Sequence, residues 1–269
     1  MSPPKAGDIE AIKRKWDECA RRYDAYYETL TGAVEQYVDW ALLSRHLPEN
    51  RSTRILDAAG GTGRITLPLA KLGYSVTLCD VSPGMLEVAR QKLLREGLLD
   101  RVEFSTCDVR ELHYADESFD FALCWNGMLE AAGELIRVTK KGGTLSIFLV
   151  NRCRSAVDLF ARDSASALAL LKSRSNYIYY EAERYRAVTP QEAIDLFDAY
   201  GVRVLQLYAV YGWMELLGIS PELRESRKWD ERFFSQVAEM ALHLSQEPSV
   251  KSMSQHLVLY GEKIGGKAT

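Results

Sequence analysis

One segment constrains this chain more than any other: residues 54–66, RILDAAGGTGRIT, followed by Leu78, Cys79 and Asp80. Ile55 and Leu56 predict a buried strand that ends on the carboxylate of Asp57. The glycines at 60, 61 and 63 predict a tight turn after it, because glycine takes backbone conformations that other residues resist. A helix and a second apolar strand follow, and that strand also ends on a carboxylate, Asp80. Strand, glycine turn, helix and strand in this order predict parallel strands with a nucleoside-sized crevice at their carboxyl ends.

The alternation continues downstream. Residues 53–57, 75–80, 101–105, 119–125 and 144–150 read as strands, with helices over 64–72 and from Ser82 and Pro83 to about Glu96. Gly73 is placed to terminate the first helix, and Ser82 to cap the second with Pro83 in its opening turn. Residues 202–211 and 256–262 read as two further strands. Near-continuous apolar strands between helices predict an α/β sheet covered on both faces. Ahead of it, Ile9, Ile12, Trp16, Cys19, Tyr23 and Tyr26 predict an amphipathic helix over 8–30 capped by Asp8, and a second helix spans 34–47. Residues 155–172 read as one helix, 176–188 as a strand or hairpin, 189–201 as a helix, and 213–248 as an insertion with a helix near 232–244. The reading is a single domain over 1–269: helices at 1–50, a core at 53–150, and caps over the substrate at 151–190 and 213–250.

A net charge of −3 excludes a protein that coats nucleic acid through bulk charge, although a local basic face stays open. None of the five cysteines forms a Cys-x-x-Cys pair, so reduced thiols and a cytoplasmic location are expected. Met1 to Lys5 carry no apolar signal region, and no apolar run is long enough to span a bilayer. No metal-ligand cluster or Ser-His-Asp arrangement stands out.

The turn can be weighed against a nicotinamide fingerprint. That motif needs a third small residue where helix packs on strand, but from Gly61 the pattern runs Gly-Thr-Gly-Arg-Ile-Thr. A sulfonium cofactor suits it better, since it has no phosphates and acids favour its cationic centres. Asp80 lies at the spacing at which a carboxylate takes ribose hydroxyls. Asp108, after the third strand, is placed to accept from an adenine amino group. Each residue also has a plainer reading: a tight turn for the glycines, a helix cap for Asp80, an ordinary loop acid for Asp108.

Residues 55–63, 78–85, 104–109, 119–128 and 135–147 resemble the successive motifs of class I S-adenosylmethionine-dependent methyltransferases. The resemblance implies a Rossmann-like, seven-stranded mixed sheet whose last strand is antiparallel, with S-adenosyl-L-methionine as cofactor. Carried over residue by residue, it puts Asp57 and Gly61 near the methionine part and Asp80 on the ribose, with Gly60, Gly63, Val81 and Met85 also among the cofactor-binding residues. Asp108 and Val109 would flank the adenine, and Trp125 and Asn126 would face the methyl group and the substrate, which makes Asn126 a candidate catalytic residue. Tyr23 and Asp24 look like the segment that closes over the cofactor in many relatives. Residues 127–141 depart from the pattern: they are short, lack much of a helix, and leave a non-catalytic binding protein as an alternative.

A base is needed only for an acceptor that is protonated at neutral pH. Of four histidines, His256 at the start of the last strand is the candidate base, with a hydrogen-bonded strand histidine as the plainer reading. Tyr177, Tyr180, Tyr211 and Trp213 are the candidate substrate residues. Residues 151–190 carry seven cations against four acids, which with these aromatics could stack and neutralise RNA. The segments around 201–213 and 245–248 are also similar to bacterial tRNA 5-carboxymethoxyuridine methyltransferase, with Tyr211 where that family has an arginine. The expected substrate is a small molecule, with tRNA as the alternative and no membrane partner.

Overall fold

The computed structural model describes residues 9–125, 128–172, 177–180 and 183–265. Two N-terminal helices, α1 (Ile9–Tyr23) and α2 (Leu30–Leu43), flank a 3-10 turn at Asp24–Glu28. The core follows as β1 (Arg54–Ala58), α3 (Thr66–Lys71), β2 (Ser75–Asp80), α4 (Pro83–Arg95), β3 (Val102–Thr106), β4 (Phe119–Cys124), α5 (Ala132–Val138) and β5 (Thr139–Asn151). Next come α6 (Arg152–Phe160), α7 (Ser164–Lys172), β6 (Tyr177–Tyr180), β7 (Glu183–Val188), α8 (Pro190–Ala199) and β8 (Val202–Val210). The described chain closes with α9 (Trp213–Leu216), α10 (Pro221–Arg224), α11 (Glu231–Gln246) and β9 (His256–Lys263).

The central sheet runs β3-β2-β1-β4-β5 with all strands parallel, and β9 then lies antiparallel between β5 and β8. These seven strands form the mixed arrangement that the family resemblance implies, and β7 with β6 continues the sheet from β5 to nine strands. Alternate residues of a strand face opposite sides, so Ile55 enters one core with Leu78 and Phe121, while Leu56 enters another with Ala122 and Ile147. Both faces are thus apolar and covered. Asp57 pairs in register with Leu78, and Asp80 with Thr106, so the strand ends and their polar residues gather along one edge.

Several elements depart from the sequence reading, each for a local reason. The first helix stops at Tyr23 rather than near residue 30, and the Asp8 cap lies outside the described residues. Thr29 then caps α2, its hydroxyl accepting from the Gly32 N–H at 3.2 Å. A Cβ on Gly32 would stand 2.2 Å from the Tyr26 carbonyl oxygen, so this glycine lets the turn fold back onto α2. Residues 155–172 divide into α6 and α7, with Asp163 accepting from the Ser166 N–H at the break. Residues 176–188 contain an antiparallel hairpin, β6–β7, and Ala187 and Val188 extend β5 in parallel beyond the end of β4.

The short segment before the fifth strand does hold a helix. α5 runs directly into β5 at Thr139, whose hydroxyl donates to the Leu135 carbonyl at 2.6 Å. Helix and strand abut without a loop, which is why this stretch looks too short in sequence. The insertion after β8 packs α11 against α2 and β8, as a layer on the sheet.

Candidate cofactor and acceptor site

A cavity of about 1030 Å³ opens at the carboxyl ends of the parallel strands. Its inner rim is the β1–α3 turn. A Cβ on Gly60 would fall 2.3 Å from Leu78 Cδ1, so a glycine there lets the turn lie against β2. Gly61 has φ of 56°, and its N–H donates to Asp80 Oδ2 at 3.0 Å. The Ser82 N–H donates to Asp80 Oδ1 at 2.9 Å, and the Ser82 hydroxyl caps α4 by accepting from Met85 N. Turn and second strand end are therefore built around one carboxylate.

That carboxylate is a fit for a ligand with hydroxyls and positive charge. Asp80 lines the cavity, and among the described residues no lysine or arginine pairs with it. Burial pushes its pKa up to about 6, against the favourable backbone N–H groups of Ser82 and Gly61. Each oxygen has one backbone donor and keeps a further lone pair for a ligand. A pyrophosphate fits poorly here: Asp80 would repel it, and Arg64 beside the turn is ion-paired with Asp39 at 2.9 Å.

The cofactor residues named from sequence divide into two groups. Tyr23, Gly61, Asp80, Val81, Met85, Asp108, Val109 and Trp125 line the cavity. Asp57, Gly60 and Gly63 do not; Asp57 lies beneath the turn, and the two glycines form it, with the Gly63 N–H donating to the Gly60 carbonyl at 2.9 Å. Asp57 is 2% exposed and accepts from the Thr66 hydroxyl at 2.6 Å, and burial pushes its pKa up to about 6. Asp108 faces the cavity but is already held by the Arg110 side chain and backbone N–H. Partial burial opposes its ionisation, yet the Arg110 hydrogen bonds and charge outweigh that and hold the carboxyl below its usual range.

The N-terminal helix forms the outer wall through Ile9, Ile12, Trp16 and Tyr23. Two of its neighbouring acids latch it to the cofactor loops. Asp17 Oδ1 accepts from the Ser82 hydroxyl at 2.6 Å and the Gly84 N–H at 2.8 Å. Asp24 accepts from the Thr62 hydroxyl at 2.6 Å and pairs with Lys92 at 2.8 Å. Asp17 escapes a sequence reading because an acid on the polar side of an amphipathic helix looks solvated.

Beyond the cofactor end, the cavity is aromatic. Trp125 stacks on Phe148 with centroids 4.6 Å apart, and Phe148 meets the edge of Tyr211 at 5.5 Å. Tyr211 has a left-handed backbone with φ of 66°, a strained state for a bulky residue and one that clusters at functional sites. Its hydroxyl donates to buried Asp39 at 2.7 Å, the same carboxylate that Arg64 pairs. His256 lines the cavity 5.5 Å from the Tyr211 ring, and its Nδ1 has no hydrogen-bond partner among the described residues. Burial pushes its pKa down to about 4, so at neutral pH the imidazole is neutral and a weak base.

The opposite wall comes from α6, α7 and the hairpin, including Leu159, Leu170, Ile178 and Tyr185. Tyr177 and Tyr180 belong to β6, but their side chains, like all of Asn126, lie outside the described residues. Trp213 is not in the cavity. It is 3% exposed and donates to Ser245 Oγ at 3.0 Å in the core beneath α11, and no described lining residue comes from 213–250. The segments behind the likeness to the tRNA enzyme thus meet in a structural contact. Two cations of 151–190 are also spent internally: Arg152 pairs with Glu192 at 2.6 Å and Arg154 with Asp158 at 2.8 Å.

Comparison with known proteins agrees with this geometry. The family described as "Methyltransferase domain" matches residues 55–143, which hold the turn, Asp80, Asp108 and Trp125. The chain is 29% identical to the ubiquinone/menaquinone biosynthesis C-methyltransferase UbiE of Pseudomonas paraeruginosa, over 68% of this chain and 74% of that one. It is likewise 29% identical to UbiE of Azotobacter vinelandii, over 69% and 76%. Among solved structures, magnesium protoporphyrin IX methyltransferase from Synechocystis with bound S-adenosylhomocysteine superposes with a TM-score of 0.58 at 13% identity, covering 96% of this chain and all of that one. The [4+2]-cyclase SpnF superposes at 0.62 with 18% identity over 98% of this chain and all of that one, so the fold by itself does not fix the reaction. Residues 55–143 thus match the methyltransferase-domain family, and the sequence relatives and the carboxylate-built turn support S-adenosylmethionine-dependent methyl transfer.

Proposed function

We propose that this chain methylates a small, largely apolar molecule that carries a flat unsaturated ring. The observation that carries this reading is the Trp125–Phe148 stack with Tyr211 and His256 around it, at the ends of β4 and β5 and next to the cofactor end of the cavity. Aromatic walls of this kind favour offset or edge contacts with a ring, each contributing about 0.5–1.5 kcal/mol beyond area burial. A volume of about 1030 Å³ exceeds the usual range for one small ligand and leaves room for cofactor and acceptor together. The relatives named for ubiquinone and menaquinone biosynthesis support a ring acceptor and methylation at carbon.

The chain's residues would divide the work as follows. Asp80 holds the ribose hydroxyls, Gly61 and Ala59 bring the backbone close to the methionine part, and Val81, Met85 and Val109 pack on the nucleoside. When bound, the cofactor supplies an electrophilic methyl group whose bond to sulfur breaks with the electron pair left on sulfur, while an acceptor pair makes the new bond. Trp125 and Phe148 align the ring for in-line attack, and the α1 lid with the α6–α7 cap excludes water. Neutral His256 donates or accepts a hydrogen bond to a polar group on the ring, which suits its orphaned Nδ1 better than uptake of a proton.

The test is incubation of the full chain with methyl-labelled S-adenosylmethionine and either naphthols and naphthohydroquinones or bulk tRNA. Label should enter the bicyclic aromatics and not the tRNA. Transfer to tRNA alone would overturn the acceptor class while leaving the cofactor assignment standing.

A further inference from the structure

We infer that Glu35 takes the proton of an aromatic hydroxyl on the acceptor, and that Tyr26 passes it on to solvent. The inference rests on the ring-acceptor reading above and adds the residue that such a substrate needs. Each acceptor that arrives protonated loses one proton for each methyl gained, whether the methyl ends on oxygen or on a conjugated ring carbon. That proton must be received inside a cavity closed by α1 and the cap.

Among the described lining residues, the carboxylates are Glu35, Asp80, Asp108, Asp158 and Asp163. Asp80 is built into the cofactor turn, Asp108 is tied to Arg110, and Asp158 to Arg154. Asp163 is held by Ser166 at the start of α7 on the outer cap. Glu35 is different. It faces the cavity from α2, one turn before Asp39, which anchors Tyr211 and Arg64 at the aromatic wall. Its Oε2 accepts from the Tyr26 hydroxyl at 2.8 Å, and Tyr26 is 42% exposed, so the pair joins the cavity to bulk water.

The surroundings suit the task. Burial pushes the Glu35 pKa up to about 8; the Tyr26 hydrogen bond opposes this, Asp39 adds to it, Arg64 opposes it, and Glu215 from α9 adds to it. A carboxyl near the working pH both accepts and releases a proton readily. A bound sulfonium would favour the ionised form, so the base is readied when the cofactor is in place. His256 across the cavity is far more acidic as a conjugate acid and competes poorly for the proton.

The experiment uses the full chain with S-adenosylhomocysteine bound and compares 2-naphthol with 2-methoxynaphthalene by fluorescence titration from pH 6 to 9. Wild type should prefer the naphthol about tenfold at pH 9 and less at pH 6, as Glu35 ionises. Glu35→Gln should lose that preference and its pH dependence, Glu35→Asp should regain part of it, and Tyr26→Phe should keep the preference but, in a separate assay with S-adenosylmethionine as methyl donor, slow turnover of 2-naphthol. Affinity for S-adenosylhomocysteine should stay within threefold in all variants. Three results would overturn the inference: no binding of 2-naphthol by wild type, an undiminished preference in Glu35→Gln, or a large loss of S-adenosylhomocysteine affinity with the preference intact. If wild type fails to bind S-adenosylhomocysteine at all, the cofactor reading itself fails.

Discussion

Replacing Asp80 by asparagine removes one charge and one acceptor oxygen while keeping the side chain's size. In the native turn Oδ2 takes the Gly61 N–H at 3.0 Å and Oδ1 takes the Ser82 N–H at 2.9 Å. An amide has a single oxygen, so one backbone donor loses its acceptor and the ribose loses a charged one. A hydrogen bond to a charged group contributes about 1.5–3 kcal/mol, which corresponds to an affinity loss of about 10- to 150-fold. Calorimetric titration with S-adenosylhomocysteine measures it, and urea unfolding measures the separate cost of the orphaned donor. Wild-type affinity should also fall as pH drops below about 6, because Asp80 then takes up a proton; in the variant this dependence should be largely gone. Asp57→Asn is the control, since Asp57 lies under the turn and outside the cavity, and its affinity should change less than threefold. A folded Asp80→Asn protein that binds within twofold of wild type would refute the ribose assignment.

The same Asp57→Asn variant tests an electrostatic cost built into the core. The folded carboxyl titrates at about 6, above its unfolded value of about 3.9, so the folded state holds its proton more tightly. Its stabilisation is therefore present at pH below about 4 and lost as pH rises through about 6, a penalty of roughly 3 kcal/mol at pH 8. Asp57→Asn should gain stability in urea at pH 8 and not at pH 4; an equal effect at both would contradict it. Asp17→Ala removes the acceptor for Ser82 and Gly84 from the lid, and stopped-flow displacement should show S-adenosylhomocysteine leaving about 5- to 30-fold faster, from roughly 1–2 kcal/mol of lost latch. Trp213→Phe loses the bond to Ser245 and should cost about 1 kcal/mol of stability with an unchanged acceptor KM; a raised KM would return Trp213 to the acceptor site.

The cofactor half of this protein was legible because its chemistry is local. Asp57, the glycine turn and Asp80 sit within one strand-turn-helix-strand unit, and in-register parallel pairing carries Asp80 and Asp108 to the same edge. What local pattern cannot tell is whether a side chain points up into the cleft or down into the core. Asp57 and Gly60 read as ligand residues, but Asp57 supports the turn from below and Gly60 is the point where the turn packs down onto Leu78 and Asp57. Trp213 read as substrate-facing, yet its indole N–H finds Ser245, thirty-two residues later, in the core. Glu35 and Asp17 left no sequence signal: Glu35 meets Tyr26 only when the turn at 24–28 folds back onto α2, and Asp17 acquires its partners only when the first helix docks on a loop far along the chain. The helix at 132–138 was obscured for the opposite reason: it meets its strand with no loop to mark the boundary.

The most direct test of the cofactor claim is a crystal structure of the full chain with S-adenosylhomocysteine. The ribose hydroxyls should lie on the Asp80 carboxylate, the adenine against Val109, and the thioether sulfur toward Trp125 and Phe148. A nucleoside bound elsewhere, or an Asp80 carboxylate left without a ligand contact, would contradict the account.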